Sequence, residues 1–213
     1  MLMMASPPKD ILVIGATGVI GRFLIQELLA AKDSFGRLAV FTSPDTLERK
    51  STEIQALKAN GVEVIIGDLT NAADIRRAYE GVDTIVSAVG RPIIDAQIQL
   101  LEIAEATPNV KYFYPSEYGT DIEYGPQSKD ERPHQLKLKV RKYIREHIHR
   151  LQYTYLVTGP YADLYIGRTG DLRAGGFDVL AKKATLLGTG KEKISLTTMR
   201  EYEDPFSLYG SCG

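Results

Sequence analysis

The sequence predicts an α/β protein built on a doubly wound parallel β-sheet. Three observations carry that prediction. Short apolar runs alternate with segments of helical periodicity from Ile11 to about residue 158. The first run, Ile11-Leu12-Val13-Ile14, feeds directly into the glycine turn Gly15-Ala16-Thr17-Gly18-Val19-Ile20-Gly21. Two of the helical segments close on glycine, at Asn60-Gly61 and at Gly81.

Each element follows in order. Ile11–Ile14 is the first strand, and Val19 to Ala31 is a helix with Val19, Ile20, Phe23, Leu24 and Leu28 at helical spacing. Leu38–Phe41 is the second strand, and Pro44 to Ala59 the next helix. Val62–Ile66 is the third strand, with a short helix around Ala72–Tyr79. Val82–Val89 is the fourth, followed by a helix from Pro92 to Ala106. Val110–Tyr114 is the fifth, and a polar Gly- and Pro-bearing stretch then runs to Arg132. Pro133 opens a helix reaching His149, and Tyr153–Val157 is the sixth strand. Beyond Gly159 the spacing suggests a short helix over Tyr161–Ile166. It also suggests a hairpin of Ala184–Leu187 and Lys193–Thr197 joined by Gly188-Thr189-Gly190.

Composition limits the functions available. With 213 residues and a net charge of −1, the chain has an ordinary globular composition and no electrostatic footprint for nucleic acid. Its single cysteine, Cys212, rules out a disulfide framework or a cysteine metal site, which fits a reducing, cytoplasmic setting. Residues 1–9 read as a flexible N-terminus rather than a secretory signal, and no run reaches membrane-spanning length.

The glycine turn is the strongest motif. Glycine lets the backbone turn tightly and approach a ligand, and the N-terminus of the helix that follows favours a phosphate. The spacing G-x-x-G-x-x-G after a first strand reads as a Rossmann-like dinucleotide site, with a tight packing turn as the alternative. In such a sheet the ligand lies outside the C-terminal strand ends, here Gly15, Thr42, Asp68, Ser87–Gly90, Pro115–Ser116 and Thr158–Gly159. The second strand ends in Phe41-Thr42-Ser43-Pro44-Asp45, with no carboxylate at its end for a ribose 2′-hydroxyl. Thr42 and Ser43 with Arg49 or Lys50 suit a 2′-phosphate, which favours NADP over NAD; a solvated helix face is the alternative for the two cations.

Lys137 is the candidate for proton chemistry. Leu136, Val140, Tyr143, Ile144 and Ile148 form an apolar stripe on one helix face. Lys137 is seven residues before Ile144, so it projects only about 20° from it. Desolvation there lowers a lysine pKa into a usable range; a lysine snorkelling past the helix end is the alternative. None of the 12 tyrosines has a lysine four residues on, so the Tyr-x-x-x-Lys pair is absent. The chain carries neither H-E-x-x-H nor G-x-S-x-G, and no metal site is expected.

Gly15–Gly21, Tyr114-Pro115-Ser116-Glu117-Tyr118-Gly119 and Leu136-Lys137-Leu138-Lys139-Val140-Arg141 occur in an order and at separations that resemble one family. It is the isoflavone-reductase-like and NmrA-like atypical short-chain dehydrogenases, in the form found in fungal secondary metabolism. The resemblance spans about residues 10–200. It implies NADPH as cofactor, NAD being less favoured, and a small-molecule substrate of aromatic or polyketide type. Lys137 matches the family's general acid/base. Gly15, Thr17, Gly18, Val19, Ile20 and Gly21 would cradle the pyrophosphate, with Ser87, Ala88 and Val89 beside the adenine-side ribose. Pro115, Ser116 and Glu117, with Thr158 and Gly159, would approach the nicotinamide half. Where the family usually has arginine at the end of strand two, this chain has Thr42.

The implied organisation is a dinucleotide-binding domain over 10–159, a partial substrate-binding region over 160–200 and an atypical tail over 201–213. Family members are longer, so the resemblance implies C-terminal shortening. Two other readings stay open: an NAD(P)-sensing regulator without turnover, and an inactive shortened member. The resemblance also admits a homodimer.

Overall fold

The computed structural model describes residues 9–130, 132–162, 176–178, 181–186, 189, 191 and 196–198. Six parallel strands form the main sheet: β1 (Asp10–Ile14), β2 (Arg37–Thr42), β3 (Glu63–Ile66), β4 (Thr84–Ser87), β5 (Tyr112–Tyr114) and β6 (Gln152–Tyr153). Their order is β3-β2-β1-β4-β5-β6, so the winding reverses between β1 and β4. The helices between them are α1 (Gly21–Ala30), α2 (Pro44–Arg49), α3 (Ser51–Ala59), α4 (Ala72–Ala78), α5 (Gln97–Glu105) and α6 (Arg132–His147).

Strand alternation divides the core between the two sheet faces. Leu12 and Ile14 of β1 belong to a cluster with Tyr79, Leu100, Leu101, Phe113 and Ile144. Ile11 and Val13 belong to another with Ile25, Leu38, Val40, Ile54 and Leu57. Side-chain direction reverses at every strand residue, so a strand buried on both faces must be apolar throughout.

Several elements are shorter than their apolar runs. The expected helix Pro44–Ala59 is broken at Lys50, whose backbone leaves helical geometry (φ −124°, ψ 37°) as its ammonium reaches the Thr17 carbonyl. Pro44 starts α2, and the Ser43 hydroxyl accepts the Thr46 amide at 3.1 Å. The expected helix Pro92–Ala106 begins as a 3₁₀ turn over Arg91–Ala96, with Ile93 non-helical, before α5. β5 ends before Pro115, which has no N–H for the ladder, and β6 ends with it at Tyr153 rather than Val157.

The described residues fall into two units: those within 9–117 and 122–156, and those within 118–121 and 157–198. In the second, the Gly119 carbonyl accepts the amides of Thr158 (3.1 Å) and Gly159 (2.9 Å), and Tyr161 bridges Thr197 in parallel. Ala184 and Thr185 do form a strand; residues 193–195 of its expected partner lie outside the described residues. Among the described residues, β8 (Lys183–Thr185) pairs antiparallel with β7 (Gly176–Asp178). The local turn explains this: the Asp178 carboxylate accepts the Ala181 amide at 2.9 Å, and Lys182 adopts φ 51°. Most of the expected second hairpin strand, the rest of the helix beyond Ala162, the N-terminal residues 1–8 and the tail 201–213 lie outside the described residues.

Candidate functional site

The glycine turn sits at the C-terminal end of β1, against the end of β4. Gly15 has φ +86°, and a Cβ there would stand 2.5 Å from the Ala88 carbonyl oxygen. At Gly21 a Cβ would stand 2.0 Å from the Gly15 carbonyl oxygen. Two of the three glycines are therefore demanded by packing of strand, turn and helix. Gly18 differs: its nearest neighbour would be the Gly15 oxygen at 3.1 Å, and its amide donates to that same oxygen at 2.9 Å. Beyond it, Val19 is 57 % exposed and Ile20 opens α1 without a side-chain cap. Among the described residues the amides of Val19 and Ile20 donate to no protein acceptor. This is a helix N-terminus with free donors on a rim, which fits a dinucleotide pyrophosphate.

The neighbouring strand ends differ in what they offer. Thr42 is buried at the end of β2, where its carbonyl accepts the Gly67 amide at 3.0 Å. Arg49 pairs with Asp45, and its side chain is 70 % exposed. Lys50 reaches the glycine turn instead, through the Thr17 carbonyl. A cavity of about 580 Å³ opens at the ends of β2 and β3, lined by Ser43, Asp45, Ile66, Gly67, Asp68 and Asp74. Two hydrogen bonds from Thr70 hold the Asp68 carboxyl below its usual range. At the end of β4, Ala88 and Val89 are buried and Ser87 is fully so, its hydroxyl without a partner among the described residues.

Past β5 the chain is fixed from three sides. The Ser116 hydroxyl donates to the Val89 carbonyl at 2.9 Å, and the Ser116 amide donates to the Gln97 side-chain oxygen at 2.7 Å. Gln97 in turn donates to the Ile94 carbonyl at 3.1 Å. Glu117 is held by α6: Arg141 Nε donates to its Oε1 at 2.9 Å and Nη2 to its Oε2 at 3.2 Å. The two side chains are 4 % and 2 % exposed, respectively. Arg141 also donates to Glu123 at 2.8 Å and lies 4.4 Å over the Tyr155 ring.

Lys137 stands one turn before Arg141 and donates to the backbone carbonyl of Glu117. Burial is the main influence on its ammonium and pushes the pKa down; Glu117 opposes that, while Arg91 and Arg141 add to it. A half-buried lysine with a lowered pKa, held by a neutral acceptor, can give or take a proton. Burial also pushes the Tyr155 hydroxyl up to about 12.

The first unit thus brings together Gly15, Thr17, Gly18, Val19, Ile20, Gly21, Thr42, Ala88 and Val89 at contiguous strand ends, with Pro115, Ser116, Glu117 and Lys137 beside β5. Thr158 belongs to the second unit, where its hydroxyl donates to the Tyr161 hydroxyl at 3.0 Å. The sequence reading did not assign Gln97 or Arg141 a role. Their spacing from Lys137 and Ser116 carries no motif, and only the fold shows that they clamp the Pro115–Glu117 turn. Among the described residues no cluster of three His, Cys, Asp or Glu could hold a metal, and no helix is long and apolar enough to cross a membrane.

The profile of the NmrA-like family matches residues 7–175. Isoflavone reductase homolog P3 of Arabidopsis thaliana is 30% identical over 96% of this chain and 68% of its own length. Isoflavone reductase homolog A622-like of Nicotiana tabacum is 28% identical over 97% of this chain and 68% of its own. Among solved structures, AtPrR2 with NADP+ and (+)pinoresinol superposes with a TM-score of 0.65 at 25% identity, covering 76% of this chain and 54% of that one. An isoflavone reductase crystal structure gives a TM-score of 0.62 at 25% identity, covering 75% and 52%. The chain therefore spans about half the length of these solved structures. With a parallel sheet that reverses beside a glycine turn, and a family match over most of its length, the chain belongs to the NmrA-like family.

Proposed function

We propose that the protein is an NADPH-dependent reductase of an aromatic or polyketide-like small molecule, with Lys137 as the proton donor. The observation that carries this reading is the placement of Lys137: half-buried, with a lowered pKa, and bound to a backbone carbonyl beside the end of β5. Relatives named isoflavone reductase and phenylcoumaran benzylic ether reductase, and the solved complexes with NADP+ or NADPH, support the same reaction class. When bound, NADPH supplies the hydride. The free amides of Val19 and Ile20 would hold its pyrophosphate, and Gly18 would keep the turn open there. Lys50, rather than Arg49, is the cation best placed for the 2′-phosphate, with Thr42 and Ser43 beside it. Lys137 would deliver its proton to the substrate while one of its N–H groups stays on the Glu117 carbonyl.

The test is NADPH consumption over a panel of enones, isoflavones and benzylic ethers. Turnover that disappears in Lys137→Met while NADPH binding persists supports the proposal. The NmrA-like match favours one second reading, a cofactor sensor without turnover. Tight NADPH binding with no turnover on any substrate would select it.

A further inference from the structure

Glu117 presents two acceptors to one face of α6. Its backbone carbonyl takes the Lys137 ammonium, and its carboxylate takes Arg141 through two hydrogen bonds of 2.9 and 3.2 Å. Lys137 and Arg141 are four residues apart, so on a helix they lie on neighbouring turns of the same face. A single glutamate is thus divided between two cations, with the charged end given to arginine and the neutral end to lysine.

That division matters for proton transfer. A carboxylate in direct contact with a lysine favours the ammonium and holds its proton. A carbonyl orients the same nitrogen, and it accepts one N–H whether the amine is charged or neutral. We propose that Arg141 is a positioning residue of the site: by binding the Glu117 carboxylate in a bidentate pair, it withholds that carboxylate from Lys137 and leaves the lysine only the Glu117 carbonyl.

The surroundings make the pair a fixed element. Arg141 and Glu117 are almost fully buried, so neither is free to swing into solvent. A second carboxylate, Glu123, takes the Nη1 of Arg141 at 2.8 Å, and the Tyr155 ring covers the guanidinium at 4.4 Å. Burial works against the Arg141 charge, but its hydrogen bonds to Glu117 and Glu123 outweigh it, so the guanidinium stays charged. The other charges on elements packed against α6 are Arg91 and Asp95 before α5, Glu102 and Glu105 on α5, and Lys129 and Asp130 before α6. Asp95 is 3.7 Å from Lys139, and Glu105 accepts the amides of His149, Arg150 and Leu151. Glu117 is the carboxylate whose own main chain Lys137 already touches.

The inference rests on the lysine reading above, so its test reads Lys137 without turnover. Competitive labelling of the whole, cofactor-free protein with an amine-directed reagent across pH gives the Lys137 pKa directly. In Arg141→Met the freed carboxylate should raise that pKa by about one unit, tenfold in proton affinity. The double variant Arg141→Met/Glu117→Gln should return it to the starting value or below. If Arg141→Met does not fold, Arg141→Lys decides the matter. A single ammonium cannot occupy both carboxylate oxygens as the guanidinium does, and the Lys137 pKa should again rise, by less. An unchanged or lowered pKa in the folded single variant overturns the proposal. Turnover surviving in Lys137→Met would instead overturn the reductase mechanism and leave the labelling result standing.

Discussion

A glycine's task can be read from what a methyl group would strike. At Gly21 a Cβ would meet the Gly15 carbonyl oxygen at 2.0 Å, so Gly21→Ala should lower unfolding stability by about 3 kcal/mol, seen in a denaturant melt. At Gly18 the closest approach is 3.1 Å, to the same oxygen. Gly18→Ala should cost under about 1 kcal/mol of stability and act mainly on NADPH affinity, which titration calorimetry would show. Equal losses of stability in both variants would contradict this separation. Lys137 gives a second prediction at this scale. Its folded pKa is lowered, chiefly by burial, so the folded state resists the charged form that the unfolded state accepts. That penalty is present below the folded pKa and relieved as pH rises toward the usual lysine value. Lys137→Met should therefore raise the melting temperature at neutral pH while turnover is lost. In the wild type, reduction should fall as pH rises through a point below the ordinary lysine range.

Between elements, the clearest contact is the clasp at the ends of α5 and α6. The Glu105 carboxylate accepts the amides of His149, Arg150 and Leu151 at 3.1, 2.7 and 3.0 Å. The Arg150 side chain caps the other way, donating to the carbonyls of Ala104, Glu105, Thr107 and Val110. Arg150→Ala should cost about 1–2 kcal/mol in a denaturant melt. Burial pushes the Glu105 carboxyl up, but the three amides and Arg150 together hold it below the usual glutamate range. Its contribution is thus complete above the unfolded glutamate pKa and lost as pH falls through the lower folded value. Glu105→Gln should flatten stability between those two points. Little of this clasp was legible in the sequence. Nothing local to Glu105 or Arg150 indicates that the two helix ends meet. The strands were legible, because Ile11–Ile14 and Leu38–Phe41 are apolar at every position and both sheet faces require it. Their lengths were not: Val82 and Val89 look like strand, yet β4 spans only Thr84–Ser87 between its neighbours β1 and β5. The pairing of Lys183–Thr185 with Gly176–Asp178 was not legible, because it depends on a turn held by the Asp178 carboxylate.

For the whole molecule, ligand linkage offers the most direct check on the dinucleotide reading. NADPH at a hundredfold excess over its Kd should add about 2.7 kcal/mol to unfolding stability. Lys50→Ala should reduce that gain for NADPH more than for NADH, since only the former carries a 2′-phosphate. The rim of the site was readable from the glycine turn and from Pro115-Ser116-Glu117, which lie where a reversing parallel sheet leaves its strand ends open. The separate courses of Arg49 and Lys50 were not, because they follow from the break in the helix at Lys50.

The reversal at the centre of the sheet also sets the order of assembly. β1 is hydrogen-bonded to β4 on one side, and Asp83 receives the amides of Lys9 and Asp10 from 74 and 73 residues earlier. At ribosomal speeds of about 5–20 residues per second, the chain waits roughly 4–15 s between making the first central strand and making its inner neighbour. Leu12 and Ile14, whose cluster draws mostly on residues from Ile75 to Leu151, are therefore covered late in synthesis, whereas Val13 packs with residues already made once Val62 has emerged.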